Sequence, residues 1–360
     1  MYDPTKDEPM PEATLNHRAP RILISRMSAI GDTILTMPVA CALRREYPEA
    51  KLFWVVERKA APMIRNHPVV DEIVELERGW FTSIRGIKQT RDRLRSFEPE
   101  IAIDCQGLTK SALAGWLSGA KRRIGYAGRH GGELTQWLNN ELVEPTATHI
   151  VDRSLELLKP LGIDAPSVDW QMPIPEEATE WANRWRQKIS DKRLAILNPG
   201  ATADSKMWEP DRFGQTAEII RKRYGYRSVA IWGGSKERCM AEWIVRHSNG
   251  AAVLAPDTSL HQLAALISTS DLFVSGDTGP LHMAVALSVP TIGLYGSTKP
   301  GDSGPYRQMA LQNAYESGSR RHRRKADNTA MRQIHVSDVC RAIDRLHQNI
   351  QMSPAASRAA

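Results

Sequence analysis

Short apolar runs alternate with helical patterns from Arg21 onward. Arg21-Ile22-Leu23-Ile24-Ser25 reads as a buried strand, a helix follows through residues 35–46, and residues 51–56, 71–76 and 100–105 read as further strands, with a charged amphipathic helix over 83–97. Runs that are apolar throughout, instead of alternating with polar residues, suit strands covered on both faces. Strand and helix in strict alternation predict a parallel sheet flanked by helices.

Pro166, Pro173 and Pro175 break the rhythm over residues 163–175, and then a second series begins. Strands are predicted at 194–197, 228–232, 252–254, 272–275 and 291–295, separated by helices that begin near Pro210, Lys236, Leu260 and Pro280. The pattern predicts an α/β chain with two doubly wound, Rossmann-like domains at residues 20–165 and 191–335, joined by a linker and connecting helix over 166–190. Residues 1–19, polar and rich in proline without periodicity, are expected to form a disordered lead-in. A helix over 336–350 is expected to pack on either half, followed by a frayed tail at 351–360.

Length agrees with two domains, since 360 residues exceed the size at which a single core usually stops growing. A formal charge of +7 favours anionic partners such as nucleotide phosphates, an acidic glycolipid or a membrane face. The one dense basic run, Arg320-Arg321-His322-Arg323-Arg324-Lys325, has no aromatic residue interleaved and reads as a solvated loop in preference to a nucleic-acid site. Cys41, Cys105, Cys239 and Cys340 lie far apart without C-x-x-C spacing, which fits neither zinc nor a disulfide framework and points to a reducing compartment. The first residues lack the apolar core of a signal peptide, and no run approaches the ~20 apolar residues of a membrane span. A cytoplasmic protein is expected, at most peripheral to a membrane.

Three stretches are candidates for chemistry. The first strand empties into Met27-Ser28-Ala29-Ile30-Gly31-Asp32, which puts Asp32 outside the carboxyl end of a parallel strand, where ligands collect in open α/β sheets. As a helix N-cap, Asp32 would need no chemical role. The absence of G-x-G-x-x-G here argues against a dinucleotide oxidoreductase. Asn198-Pro199-Gly200-Ala201-Thr202, with Lys206 shortly after, is either a diphosphate cradle or a polar loop with a solvated lysine. In Ser275-Gly276-Asp277-Thr278-Gly279-Pro280-Leu281-His282, Pro280 suits a first helical turn, Thr278 is expected to cap, Gly279 to admit a phosphate and His282 to donate to it.

Taken in order and spacing, these stretches resemble glycosyltransferase family 9, the bacterial heptosyltransferases of the lipopolysaccharide inner core. Asp104-Cys105-Gln106-Gly107-Leu108-Thr109-Lys110-Ser111, Ser205-Lys206-Met207-Trp208 and Tyr295-Gly296-Ser297-Thr298-Lys299-Pro300 add to the likeness, which spans residues 21–349. The resemblance implies a GT-B fold, with two Rossmann-like domains facing each other across a cleft, acceptor on the first and donor on the second. It implies an ADP-activated heptose, inversion at the anomeric carbon, and Asp32 as general base. Lys206 would neutralise the departing diphosphate, helped by Thr278, Gly279 and His282, with no metal or cofactor. Glu237 would meet the donor ribose, and Thr202 and Asp277 would complete the nucleotide pocket. On the acceptor side it implies Ser28, Gln106 and Lys110, with Arg78, Arg129 and Lys110 as partners for an acidic sugar. The expected partners are therefore a nucleotide-sugar donor and an anionic glycolipid at the cytoplasmic face of the inner membrane, not nucleic acid. Two alternatives stand beside it: a GT-B enzyme using a UDP- or GDP-sugar and another glycan, and a non-catalytic protein that binds nucleic acid or anionic lipid through the basic run.

Overall fold

The computed structural model describes residues 19–352, apart from Glu133 and Ser190. The lead-in and tail expected at 1–19 and 351–360 fall almost wholly outside the described residues.

The first half is built on six parallel strands: β1 (Arg21–Ser25), β2 (Lys51–Glu57), β3 (Glu72–Leu76), β4 (Ile101–Asp104), β5 (Arg122–Tyr126) and β6 (Glu141–Val143). They lie in the order β3-β2-β1-β4-β5-β6. β1 is central, with Ile24 level with Trp54 on one side and Ile103 on the other. The second half has β7 (Arg193–Asn198), β8 (Tyr226–Ala230), β9 (Ala252–Leu254), β10 (Leu272–Gly276), β11 (Thr291–Leu294) and β12 (Met309–Leu311). Its order, β12-β11-β10-β7-β8-β9, is the same topology read from the opposite edge. Both halves are therefore doubly wound in the Rossmann order.

Hydrophobicity accounts for the strands that the sequence reveals and for the three it hides. β1, β4 and β7 are buried along almost their whole length, as their apolar runs require. β5, β6 and β12 were not among the predicted strands. β5 opens on two arginines, and β6 and β12 are half-exposed outer strands of three residues, too short to show a period.

Helix Ile30–Glu46 is buried almost all round, from Gly31 and Thr33 to Leu43. A helix apolar on every face belongs between two layers, and this one lies between its own sheet and helix Gly279–Ala286 of the second half. Helix Glu176–Arg186 sets Ala178 and Ala182 against Ala265 of helix Leu260–Ser268. The final helix, Val336–Met352, packs on the second half, where Val339, Ala342 and Ile343 share a core with Phe213 and Ile292. The halves also touch through Tyr306, whose hydroxyl donates to Asp152 at 2.7 Å, and through the 3.1 Å contact of His149 Nε2 with the Gly304 carbonyl. Among the described residues, no helix is long and apolar enough to cross a membrane.

Candidate active site

In this strand order the chain turns to opposite sides after strands one and four, and a crevice opens beyond their carboxyl ends. The first half therefore presents the segments after β1 and β4, and the second half those after β7 and β10. The two crevices face each other. The helix starts meet so closely that a Cβ on Gly31 would lie 2.6 Å from Cδ2 of the buried His282 ring. Only glycine allows that approach.

Asp32 is the third residue of helix Ile30–Glu46, with Ala29 as the N-cap residue. One carboxylate oxygen accepts the Ala29 N–H at 3.0 Å, and the other meets Arg26 Nη2 at 2.9 Å. The helix-cap reading is thus corrected in detail: Asp32 caps from inside the first turn, and its side chain remains 39% exposed toward the cleft. Arg26, 6% exposed, is anchored in turn by donating to the Cys105 carbonyl at 2.5 Å.

The acceptor-side candidates Ser28, Gln106 and Lys110 come together beside it. Lys110 Nζ lies 3.1 Å from Ser28 Oγ, and Gln106 Nε2 lies 3.4 Å from the same oxygen. Gln106 also accepts the Met27 N–H at 2.8 Å. Lys110 is ion-paired with Glu57 at the end of β2. Arg78 and Arg129 stand exposed on loops after β3 and β5, outside both cavities described below.

In the second half, Lys206 Nζ lies 2.5 Å from one oxygen of Asp277, and His282 Nε2 lies 3.6 Å from the other. Burial pushes the Asp277 carboxyl upward, yet the His282 hydrogen bond and the Lys206 charge outweigh it and hold the group below the usual carboxylate range. Gly276 makes room for the pair, since a Cβ there would lie 2.6 Å from the Lys206 carbonyl oxygen. Thr278 occupies the N-cap position of helix Gly279–Ala286, but its hydroxyl makes no capping bond. It instead meets Asn198 Nδ2 and Ser275 Oγ, each at 3.0 Å, and so ties the two turns of the crevice together. Glu237, in the first turn of helix Ser235–Arg246, accepts the Gly233 N–H at 2.8 Å. Burial pushes its carboxyl up, partly offset by that N–H and by Lys236.

Two cavities share the cleft. One, of about 360 Å³, is lined by Asp32 from the first half and by Thr202, Lys206, Asp277, His282 and Arg323 from the second. The other, of about 350 Å³, is walled by Ile30, Leu260, Pro280 and Met283, with Glu237 at its edge. Thr202, Thr278 and Gly279 border both. A partly exposed carboxylate thus faces an ammonium across a polar cavity, with an apolar pocket adjoining.

Residues 87–331 match the model of glycosyltransferase family 9 (heptosyltransferase). The chain belongs to glycosyltransferase family 9. Lipopolysaccharide heptosyltransferase 3 of Escherichia coli is 27% identical over 88% of this chain and 95% of its own length. Lipopolysaccharide heptosyltransferase 1 of Pseudomonas aeruginosa is 29% identical over 79% and 81%. The crystal structure of a family 9 glycosyl transferase from Veillonella parvula covers 92% of this chain and 98% of its own, at 23% identity and a TM-score of 0.79. An E. coli heptosyltransferase solved with ADP covers 91% and 98%, at 24% identity and a TM-score of 0.71. The fold is GT-B, and the protein is a glycosyltransferase.

For a family 9 glycosyltransferase, four residues near the cleft escaped the sequence reading. Arg26 holds Asp32, Glu57 holds Lys110, and Thr298 and Arg323 line the polar cavity. Arg26 carries a signal in hindsight: a charged residue one step past a fully buried strand must find a partner. Glu57 carries none, because its partner Lys110 lies 53 residues off, and Arg323 carries none, because it sits in a run whose composition describes a solvated surface.

Proposed function

We propose that this glycosyltransferase moves a heptose from ADP-heptose to an acidic acceptor of the lipopolysaccharide inner core, with inversion and with Asp32 as general base. The observation that carries the reading is the placement of Asp32 and Lys206 on one cavity from opposite halves. A base and a cation on opposite sides of a cleft are what in-line displacement needs: one activates the entering oxygen and the other receives the leaving charge. The names of the relatives favour the same donor. Two E. coli heptosyltransferase structures of this fold are described with ADP and with ADP-2-deoxy-2-fluoro heptose.

In the proposed reaction the apolar pocket takes the adenosine, and Glu237 accepts hydrogen bonds from the ribose. Thr202 and the first-turn N–H groups after Thr278 and Gly279 cradle the diphosphate, as helix starts do for anions. Asp32 removes the acceptor hydroxyl proton while that oxygen bonds to the anomeric carbon. The bond from that carbon to the phosphate oxygen breaks on the opposite face, and ADP departs with the electron pair. Lys206 and His282 meet the charge that develops, an electrostatic role that calls for no metal. Arg26 keeps the Asp32 carboxylate aimed.

Ser28, Gln106 and Lys110 line the acceptor side, and Arg78 and Arg129 supply cations further out. Exposed Ile84, Leu134 and Trp137 lie at or just within helix starts at the same carboxyl edge of the first sheet, near exposed Arg78, Arg85 and Arg129. This mixture of apolar and basic groups favours peripheral contact with an anionic membrane surface, which we place at the cytoplasmic face of the inner membrane.

Replacing Asp32 by Asn keeps the size of the side chain and removes the base. Turnover is expected to fall by roughly 10²- to 10⁴-fold while ADP affinity, measured by calorimetry, stays within a factor of about two. Full turnover in Asp32→Asn removes Asp32 as base. A wild-type preference for UDP or GDP over ADP in the same titration removes ADP-heptose as donor.

A further inference from the structure

Helix Arg320–Lys325 holds most of the chain's one dense basic run, and it packs beside the turn Asp204–Lys206. Its residues do not share one environment. Arg321 points to solvent, whereas Arg323 is half-buried and lines the polar cavity with Lys206, Asp277 and His282. The expectation of a solvated loop is corrected twice: the run forms a helix, and Arg323 turns inward.

The charges around this cavity are unevenly committed. Lys206 is paired at 2.5 Å with Asp277, and Asp32 is paired with Arg26. Among the described residues Arg323 meets only neutral acceptors: its Nη1 donates to the Ser297 carbonyl at 2.9 Å and to the Tyr315 hydroxyl at 2.7 Å. Its Nε is buried and has no hydrogen-bond partner among the described residues. The same holds for Thr298 Oγ1, Ser205 Oγ and His282 Nδ1, all on residues that line this cavity. A buried donor left unpaired is costly, and such groups cluster where a ligand completes them.

We propose that Arg323 is a diphosphate-binding residue, whose uncompensated guanidinium, with Thr298 and Ser205 beside it, receives the phosphate charge that Lys206, already bound to Asp277, meets only in part. The proposal rests on the donor reading above and adds a second cation to it. A diphosphate gains a further negative charge as its bond to the sugar breaks, so a cation not already neutralised by a carboxylate gains most at that moment. A guanidinium also matches phosphate oxygens with parallel N–H groups, which an ammonium does not.

The test is calorimetric titration of the full-length protein with adenosine, AMP, ADP and inorganic pyrophosphate. Arg323→Gln is expected to weaken ADP and pyrophosphate by about 10- to 100-fold, the usual size for a lost charge-assisted hydrogen bond, and to leave adenosine unchanged. Arg323→Lys should recover part of the loss, and Arg321→Ala should bind every ligand like the wild type. Unchanged ADP affinity in Arg323→Gln overturns the proposal. So does an equal loss of adenosine and ADP, which would mean that Arg323 only props the Ser297 loop; Arg323→Lys, which retains the charge, reports the same comparison if the glutamine variant folds poorly. A wild type that ignores ADP but takes UDP or GDP defeats the adenine donor alone, and the Arg323 comparison then runs with that nucleotide. Failure of the wild type to bind any nucleoside diphosphate overturns both.

Discussion

The two halves share one topology and place their polar residues at the same point of it, yet they finish those points differently. Beyond β1 and β4 the polar groups largely satisfy one another: Asp32 with Arg26, Lys110 with Glu57 and Ser28, Gln106 with the Met27 backbone. Asp104 likewise accepts the N–H groups of Gln106 and Gly107 at 3.0 Å each. Beyond β7, β10 and β11, the buried polar atoms of Ser205, His282 and Thr298, with Arg323 from a later helix, lack partners among the described residues. In the first half, Arg26 Nε and, beyond β3, Trp80 Nε1 also lack partners among the described residues. The contrast teaches that the fold closes the first crevice's polar network largely on itself, whereas the second crevice keeps several buried polar groups without a protein partner among the described residues.

The largest effect that tests this contrast is expected at Lys206. Lys206→Met removes a cation proposed to meet the departing charge, and turnover should fall by on the order of 10²- to 10³-fold, as when a preorganised electrostatic group is lost. It also strands Asp277 inside the protein, with a side chain only 10% exposed. Urea unfolding should therefore show a loss of stability that Lys206→Met/Asp277→Asn largely restores, while turnover stays low. Recovery of turnover in the double variant would reduce Lys206 to a structural partner of Asp277.

The same pair has a defined pH signature. Asp277 titrates lower in the folded chain than in the unfolded one, where an aspartate sits at about 3.9. Its stabilisation is therefore fully present above that value and is lost as pH falls through the lower, folded-state pKa. The stability gap between wild type and Asp277→Asn should be constant from about pH 8 down to pH 5 and should narrow only below about pH 4. A gap that opens or closes near neutrality would mean that Asp277 is not the group responsible.

How much of this could be read from the chain follows from the range of the forces involved. The central strands and the turns at Asp32, Lys206 and 276–282 were legible because burial on both faces and helix-start chemistry are local. The last three strands to be found, β5, β6 and β12, lie toward the sheet edges, where polarity and shortness erase the period. The pairings were not legible at all. Glu57 reaches Lys110 across 53 residues, and Lys206 reaches Asp277 across 71. Arg323 belongs to a run whose composition describes a solvated surface, and only the packing of its short helix beside the Lys206 turn turns one of its side chains inward.

A smaller effect is expected on the first side, where the network is already closed. An acidic acceptor must share Lys110 with Glu57, so Glu57→Gln should free the ammonium and lower the acceptor KM a few-fold, and Lys110→Met should raise it by about 10-fold. ADP affinity should not move in Lys110→Met, since Lys110 lines neither cleft cavity. A donor effect as large as the acceptor effect would mean that the two crevices are not independent.

The smallest expected effect lies outside both crevices and asks whether the first half, proposed to take the acceptor, is also a half that meets a membrane. Trp137 is 82% exposed and Ile84 89%, an arrangement that gains nothing in water. Partial burial of one such side chain in a lipid interface contributes about 1 kcal/mol, or roughly five-fold in partitioning. Trp137→Ala and Ile84→Ala should each weaken co-sedimentation with phosphatidylglycerol vesicles by about that factor and raise the salt sensitivity of what remains. Turnover on a short, lipid-free acceptor should be unchanged, because neither residue lines the cleft cavities. Equal weakening by Trp243→Ala, on the second half and 45% exposed, would show that lipid contact does not distinguish the halves, and the division of labour would then end at the cleft.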